Sequence, residues 1–391
     1  MDLSALHASF DAITREQLVA AGSAKWTAFP DAIGAFVAEM DFGLAPAVRE
    51  SLVQAVDRGA TGYLPRALTG ELAAATTAWY ADRYGVGVDP ARVHPLPDVL
   101  AGAELAIRHF SAPGAPVIVP TPAYMPFLTL PGALGREVIQ VPCTVRDGRS
   151  ELDLNALAAA FAAGGDLVLL CNPWNPIGRV LTRDELLALS AVVEAHGGRV
   201  FADEIHAPLV YGETRHVPYA SVSPEAARHT VTATSVSKAF NLPGLKCAQL
   251  ILHNDEDQAR FEQIGMWSTH GASTPGVLSN IAAYREGGEW LDGVLQYLDG
   301  NRRTLRDRLA DLLPQVSMLP IEGTYIAWLD VRALGLSEPA ADFFLREAGV
   351  AMTDGAACGE AGEGHVRFVF ATPRPILIDA VQRMADAVRR R

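Results

Sequence analysis

Several things that this sequence lacks narrow its possible classes. No stretch of about 18 apolar residues occurs, so no transmembrane helix is expected. Its four cysteines lie far apart with no C-x-x-C pair, which argues against a zinc site or a disulfide framework. The N-terminus carries acidic residues early and lacks the basic region of a secretory signal. We therefore expect a reduced, cytoplasmic protein without a metal or a membrane partner.

Positive charge is also scarce. Lys and Arg total 32 against 45 for Asp and Glu, giving a formal net charge of −13. Such a surface repels phosphate backbones, so a nucleic-acid partner is not expected. Only three lysines occur: Lys25, Lys238 and Lys246. Because arginine serves surface solubility equally well, each remaining lysine is a candidate for chemistry that needs a primary amine.

Short apolar runs alternate with helical patterns between about residues 46 and 290. The predicted strands are 116–120, 137–141, 166–171, 199–202, 230–233 and 249–253. Helices are predicted at 152–163 and 185–195, and Thr182 with Glu185 forms the capping box of the second. Continuous Val, Ile and Leu runs separated by helices favour an α/β fold with a mainly parallel sheet between helices.

The pattern changes after about residue 290. It predicts helices at 290–313 and 339–347, strands at 324–329 and 365–370, and a final helix from Pro375. We therefore expect three parts. They are an N-terminal segment at 1–45 that packs on the small domain, a large domain at 46–289 and a small α+β domain at 290–391.

Unusual polar residues follow three of the predicted strands, where ligands of open α/β sheets bind. N-P-W-N-P, with Asn175, follows 166–171, and D-E-I-H at 203–206 follows 199–202. T-S-V-S-K, ending at Lys238, follows 230–233. Each motif alone has a plainer reading as a turn, a helix cap or a core histidine. In this order on successive strands, the three favour one shared site.

The combination resembles the fold-type I pyridoxal-phosphate (PLP) enzymes, the aspartate aminotransferase superfamily. The resemblance covers essentially the whole chain and implies the corresponding fold. It implies that Lys238 binds PLP covalently, Asp203 pairs with the pyridine nitrogen, and Asn175 binds the phenolic oxygen. His206 stands where many relatives have a tyrosine, and D-E-I-H is similar to the MalY/PatB branch of cystathionine β-lyases and cysteine-S-conjugate β-lyases.

Other segments resemble the same branch. They are Lys25-Trp26 with the F-V-A-E-M-D-F segment at 36–42, the T-G-Y segment at 61–63, A-F-N-L-P-G-L at 239–245 and G-T-Y-I-A-W-L-D at 323–330.

The resemblance implies further cofactor contacts. Tyr124 would stack on the pyridine ring, with core packing as the alternative. The backbone amides of Val99 and Leu100, at a helix N-terminus, would bind the phosphate. Ser235 and Ser237 would add hydroxyl donors, and His206 would also contact the cofactor. Lys246 replaces an arginine of many relatives, which leaves its contact with the phosphate open.

Two more implied roles concern the substrate and a second subunit. Arg367 would bind the substrate carboxylate through a bidentate hydrogen bond, with a surface ion pair as the alternative. Asn175 would also contact the substrate. Tyr63 would reach the phosphate and substrate of the neighbouring subunit, which implies a homodimer with shared active sites.

The implied reaction is cleavage of L-cystathionine or another S-substituted L-cysteine to a thiol, pyruvate and ammonia. Lys238 would take the Cα proton, and an ionised Asp203 would favour a protonated pyridine nitrogen. Three alternatives stay open: an aminotransferase on the same fold, a regulatory protein that retains PLP with little turnover, and an α/β domain without PLP.

Overall fold

A computed structural model describes residues 1–268 and 270–391 of the chain. The strands, in chain order, are β1 (Ile33–Gly34), β2 (Val93–Leu96), β3 (Val117–Thr121), β4 (Val138–Pro142), β5 (Thr144–Arg146), β6 (Arg149–Glu151), β7 (Leu167–Cys171), β8 (Arg199–Asp203), β9 (Thr230–Thr234), β10 (Ala248–Leu252), β11 (Ser317–Met318), β12 (Ile326–Asp330), β13 (Val350–Ala351), β14 (Thr353–Asp354) and β15 (His365–Val369). The α-helices are α1 (Leu3–Asp11), α2 (Arg15–Ala21), α3 (Ala24–Thr27), α4 (Pro46–Asp57), α5 (Arg66–Tyr84), α6 (Val99–His109), α7 (Met125–Ala133), α8 (Leu154–Ala162), α9 (Arg183–Ala195), α10 (Pro224–His229), α11 (Asp255–Ile264), α12 (Thr274–Glu286), α13 (Gly288–Leu312), α14 (Ala340–Ala348) and α15 (Arg374–Arg389).

The main sheet has the strand order β2-β10-β9-β8-β7-β3-β4. From β9 to β4 all neighbours are parallel, whereas β10 runs antiparallel to both β9 and β2. Every residue of β3 and β7 is buried, as expected for strands covered by helices on both faces. The α/β fold with a mainly parallel sheet is therefore confirmed.

The six strands predicted for this sheet match its strands to within one residue at each end, but β2 was not predicted. Its sequence, V-H-P-L, interrupts the apolar run with His94 and Pro95. Proline is tolerated there because β2 lies at the edge of the sheet. The predicted capping box is present: the Thr182 hydroxyl accepts from the Glu185 amide, and the Glu185 carboxylate accepts from the Thr182 amide.

A second sheet, of order β11-β12-β15-β14, is antiparallel throughout. It follows α13, and α14 and α15 accompany it, in agreement with the predicted pattern after residue 290. The N-terminal segment forms α1 to α3, and β1 then pairs in parallel with β13. The domain boundaries at 45 and 289 stay a prediction. Among the described residues, no helix offers the apolar length that a bilayer crossing requires.

Candidate active site

A cavity of about 200 Å³ lies beyond the carboxyl ends of β7, β8 and β9. Asp203 is the last residue of β8, while Asn175 and Lys238 each stand four residues beyond the end of a flanking strand. Parallel strands deliver these residues to one edge of the sheet. The predicted site residues that line the cavity are Val99, Leu100, Tyr124, Asn175, Asp203, His206, Ser237, Lys238 and Lys246.

Two buried groups on β8 and just after it carry perturbed pKa values. Burial raises the pKa of Asp203 to about 7, although its carboxylate accepts a hydrogen bond from the Ile205 amide at 3.0 Å and lies near the charge of Lys238. Burial lowers the pKa of His206 to about 3, with smaller contributions from the charges of Lys238 and Arg367. The His206 ring is therefore neutral at physiological pH.

Lys238 combines burial with a defined orientation. Its Nζ donates a hydrogen bond to the carbonyl oxygen of Ala38 at 2.9 Å. Burial, followed by the charge of Arg367, lowers the pKa of the Lys238 amine to about 8. A substantial fraction of the amine is therefore unprotonated slightly above neutral pH, as a nucleophile or a general base requires.

The N-terminus of α6 forms another part of the cavity wall. Asp98 caps this helix by accepting from the Ala101 amide, and Val99 and Leu100 occupy its first turn. First-turn amides have no partner within their helix, so this end favours an anion such as a phosphate. Lys246 lies at the same place: its Nζ is 2.9 Å from Oδ2 of Asp98, and its backbone adopts a left-handed φ of 52°.

Of the two serines predicted to contact the phosphate, only Ser237 lines the cavity, whereas the Ser235 hydroxyl is engaged elsewhere. Ser235 uses its hydroxyl to donate to the Cys247 carbonyl oxygen at 2.7 Å and to accept from the Ser237 amide at 3.0 Å. It is not among the residues that line the cavity, whereas Ser237 is. A phosphate contact by Ser235 stays a prediction, and it would require this hydroxyl to leave Cys247.

Arg367 is buried in the second sheet, between β12 and β14, and is not among the residues that line the cavity. Its Nη1 donates to Oδ1 of Asn175 at 3.3 Å, and its Nη2 donates to the Phe36 carbonyl oxygen at 2.5 Å. The predicted surface ion pair is therefore not what holds this side chain. The guanidinium is hydrogen-bonded to Asn175, which lines the cavity.

Tyr63 lies apart from the cavity and is 90% exposed. Its ring centroid is 5.9 Å from that of His270, and the carbonyl oxygen of the preceding Gly62 accepts from Thr274. Within this chain the tyrosine has no part in the cavity. Its predicted role depends on a second subunit.

One cavity feature was not predicted from the sequence: Ala38 belongs to the wall, and its carbonyl oxygen accepts from Nζ of Lys238. The segment that contains Ala38 was recognised, but a backbone acceptor leaves no signal in residue identity. Asp98, which precedes the first turn of α6, and Cys247, beside Lys246, also line the cavity. Burial raises the pKa of Cys247 to about 12, so its thiol stays neutral.

A larger depression of about 1280 Å³ lies elsewhere, between residues 331–340 and 354–365. Arg332 and Glu363 in its lining are exposed, and the half-buried Glu338 is paired with Arg346. The smaller cavity is the better candidate because its amine, carboxylate and helix N-terminus do converge.

The residues of the cavity fit the PLP that the resemblance implies. Among the described residues, two buried nitrogens beside it, Nδ1 of His206 and Nε of Arg367, have no hydrogen-bond partner. A volume of 200 Å³ exceeds the roughly 150 Å³ that accepts benzene, so one substituted ring can enter. The cavity residues offer the groups that PLP needs. Lys238 offers an amine for the aldehyde, and Asp203 offers a carboxylate for the ring nitrogen. Tyr124 offers an aromatic ring, and the first turn of α6 offers an anion-binding end.

Comparison with known proteins agrees with this fit. The family described as aminotransferase class I and II matches residues 34–383. A cystathionine β-lyase from Corynebacterium glutamicum is 38% identical over 95% of this chain and 98% of its own length. Cystathionine β-lyase PatB from Bacillus subtilis is 32% identical over 96% of this chain and 98% of its own length. A structure from Corynebacterium diphtheriae, assigned as a PLP-dependent β-cystathionase, matches with a TM-score of 0.92 and 40% identity over 96% and 98% of the two chains.

Proposed function

Because the chain belongs to the class I and II aminotransferase family, in its MalY/PatB-type branch, we propose that it is a PLP-dependent carbon–sulfur β-lyase. Its substrate is L-cystathionine or another S-substituted L-cysteine, and its products are a thiol, pyruvate and ammonia. One observation carries the proposal: Lys238, Asp203 and Asn175 line a single cavity together with an anion-binding helix end.

The cavity residues would hold the cofactor by their different chemistries. Lys238 would bind its aldehyde carbon, the first turn of α6 would bind its phosphate, and Tyr124 would pack on its ring. Asp203 would pair with its ring nitrogen, where an ionised carboxylate favours the protonated form. Bound PLP would supply an electron sink for negative charge at the substrate Cα, and Asp203 would strengthen that sink by holding the proton of the nitrogen.

Substrate positioning falls to Arg367 and Asn175. A guanidinium matches a carboxylate with two parallel hydrogen bonds, and Nε of Arg367 is a buried donor without a partner among the described residues. The Lys238 amine, whose pKa burial lowers to about 8, then removes the Cα proton as general base.

Loss of the sulfur substituent follows from the charge that builds at Cα. A thiolate is a good leaving group because the pKa of a thiol is only about 8.5. The bond from Cβ to sulfur breaks with its electron pair on sulfur, and the Cα–Cβ double bond forms. Hydrolysis of the resulting enamine gives pyruvate and ammonia, so no oxo-acid acceptor is consumed.

The proposal includes a cytoplasmic homodimer with shared sites. Large apolar side chains are exposed at Leu44, Val53, Val56, Tyr63 and Trp267. Singly exposed apolar residues are ordinary on a protein surface, so the homodimer rests on Tyr63, whose 90% exposed side chain is available to a second subunit. A second copy that buries Tyr63 would carry its hydroxyl to the partner's cofactor phosphate. The four cysteines are free thiols, which supports a reducing compartment.

The test is to incubate the PLP-loaded protein with L-cystathionine and with a panel of S-substituted L-cysteines, without any 2-oxo acid. Free thiol and pyruvate should appear in equal amounts over many turnovers. An aminotransferase would instead stop after one turnover, release no thiol and resume only when an oxo acid is added. Absence of thiol from the whole panel would overturn the lyase assignment.

A further inference from the structure

We propose that Lys25 is a positioning residue of the active site. The inference rests on the proposed function and goes beyond it. Lys25 and Asp41 form a buried ion pair, with Nζ 2.8 Å from Oδ2 and both side chains at most 4% exposed. The pair holds residues 36–41, here called the strap, against the groups that carry out the reaction.

The strap contacts the active site through its backbone. The Ala38 carbonyl oxygen accepts from Nζ of Lys238 and from the Tyr325 hydroxyl, both at 2.9 Å. The Phe36 carbonyl oxygen accepts from Nη2 of Arg367. The carbonyls of Phe36 and Ala38, two residues apart, therefore orient both the general base and the proposed carboxylate-binding group.

A further contact joins the strap to the loop that carries Lys238. The Asn241 side chain accepts from the Met40 amide at 2.9 Å and donates to the Met40 carbonyl oxygen at 2.7 Å. Asn241 has a left-handed φ of 58° that presents its amide group to the strap. A shift of the strap would therefore be transmitted to the loop three residues after Lys238.

The Lys25–Asp41 pair holds the C-terminal end of the strap, and neither residue is among those that line the cavity. Besides Asp41, Nζ of Lys25 donates to the Glu39 carbonyl oxygen at 3.1 Å and to the Ala371 carbonyl oxygen at 3.4 Å. The Trp26 indole donates to Oδ1 of Asp41 at 2.9 Å. One ammonium thus binds the strap, its terminal carboxylate and the segment after β15.

Stability alone is a poor explanation for this pair. Removing two charges from water is costly, and replacing a buried pair by neutral residues is often neutral or stabilising. Such a pair is retained more readily when it specifies a conformation. The backbone is arranged around it: a Cβ at Gly34 would lie 2.1 Å from the Lys25 carbonyl oxygen, so only glycine admits this close approach.

The test uses the double neutral variant Lys25→Met with Asp41→Asn, which leaves no unpaired buried charge and keeps an acceptor for Trp26. In the resting PLP-loaded enzyme, amide hydrogen exchange at 36–41 should accelerate about tenfold or more, because local opening becomes easier. With an S-substituted L-cysteine, kcat should fall by about 10- to 100-fold and KM should rise, since small misplacements of reacting groups cost this much. The affinity for PLP should change by less than about threefold, because among the described residues no hydrogen bond of the strap involves the first turn of α6, which is the proposed phosphate-binding end.

The matched control is Arg199→Met with Asp257→Asn. This pair also includes a buried carboxylate, at 2.6 Å, but it lies at the opposite end of β8 from Asp203. The control should lose stability to a similar degree while kcat, KM and strap exchange stay near wild type. If the double variant does not fold, Lys25→Gln with Asp41→Asn replaces it, since this pair also leaves no unpaired buried charge and keeps an amide donor at position 25.

Faster strap exchange with unchanged kcat and KM would overturn the proposal, since the pair would then serve stability only. Unchanged exchange, or equal losses of activity in the control, would overturn it as well. Substrate binding is also read from the visible absorbance of bound PLP, which needs no turnover. A wild type that releases no thiol would therefore remove the lyase assignment alone, while weaker substrate binding in the variant would still support the positioning role.

Discussion

Nη1 of Arg367 donates a hydrogen bond to Oδ1 of Asn175 at 3.3 Å, which joins the two sheets of the protein. Asn175 follows β7 of the main sheet, and Arg367 lies in β15 of the second sheet. The proposed carboxylate-binding group and a proposed cofactor-binding group therefore constrain each other. Substrate binding and cofactor binding are expected to be coupled through this contact.

Replacing Lys238 by alanine should lower kcat by at least about 1000-fold, because the variant loses both the covalent attachment and the general base. Thiol release measures turnover, and borohydride reduction followed by peptide mapping locates the attached cofactor. Lys246→Ala serves as comparison and should weaken PLP binding but retain turnover at saturating PLP. Wild-type turnover in Lys238→Ala would contradict its role.

Replacing Asp203 by asparagine should lower kcat by roughly 100-fold or more, since a neutral amide no longer favours the protonated ring nitrogen. Steady-state kinetics at saturating PLP measure the effect. Glu204→Gln is the matched control, because Glu204 is equally buried but its carboxylate accepts from the Tyr219 amide and the Tyr80 hydroxyl, outside the cavity. Equal losses in both variants would point to a general loss of packing.

The rate at which PLP combines with the cofactor-free protein should rise with pH, with a midpoint near pH 8. The reacting species is the unprotonated Lys238 amine, and burial lowers its pKa to about 8. The nearby positive charge of Arg367 adds to this lowering, so Arg367→Gln should raise the pKa of Lys238 and move the midpoint upward. Stopped-flow absorbance measures the rate. A midpoint that does not move would show that the charge of Arg367 does not reach the amine.

Replacing Arg367 by lysine keeps the charge but removes the two-pronged hydrogen bond. KM for the amino acid should rise by about 10- to 100-fold, the value of a lost hydrogen bond to a charged group. The affinity for PLP should fall much less than the affinity for the amino acid, because Arg367 does not line the cavity and is linked to it through Asn175. If KM stays level while PLP affinity falls, Arg367 binds the cofactor rather than the substrate.

The shared-site arrangement can be tested with two inactive variants. Tyr63→Ala and Lys238→Ala homodimers should each be impaired. Mixing equal amounts under exchange conditions should restore about a quarter of the wild-type sites, because half of the dimers are hybrids with one intact site each. Sedimentation analysis confirms the dimer. No recovery from exchanged hybrids would place Tyr63 outside the neighbouring site.

Local signals in the sequence predicted much of the fold. Buried strands such as β7 are continuous apolar runs, and α9 begins with a capping box whose two reciprocal bonds involve residues three positions apart. Such features depend on near neighbours, so they can be read from a short window. The edge strand β2 was not predicted because His94 and Pro95 interrupt its apolar run.

The order of motifs along the chain also determined that Asn175, Asp203 and Lys238 meet, because parallel strands bring their carboxyl ends to one edge. What only the tertiary structure decided is how those groups are held and charged. The Ala38 carbonyl beside Lys238 and the Lys25–Asp41 pair behind it join residues far apart in sequence. Every residue has a backbone carbonyl, so the sequence does not show which carbonyl will accept a hydrogen bond. Burial lowers the pKa of Lys238 and raises that of Asp203, and burial exists only once the chain has folded.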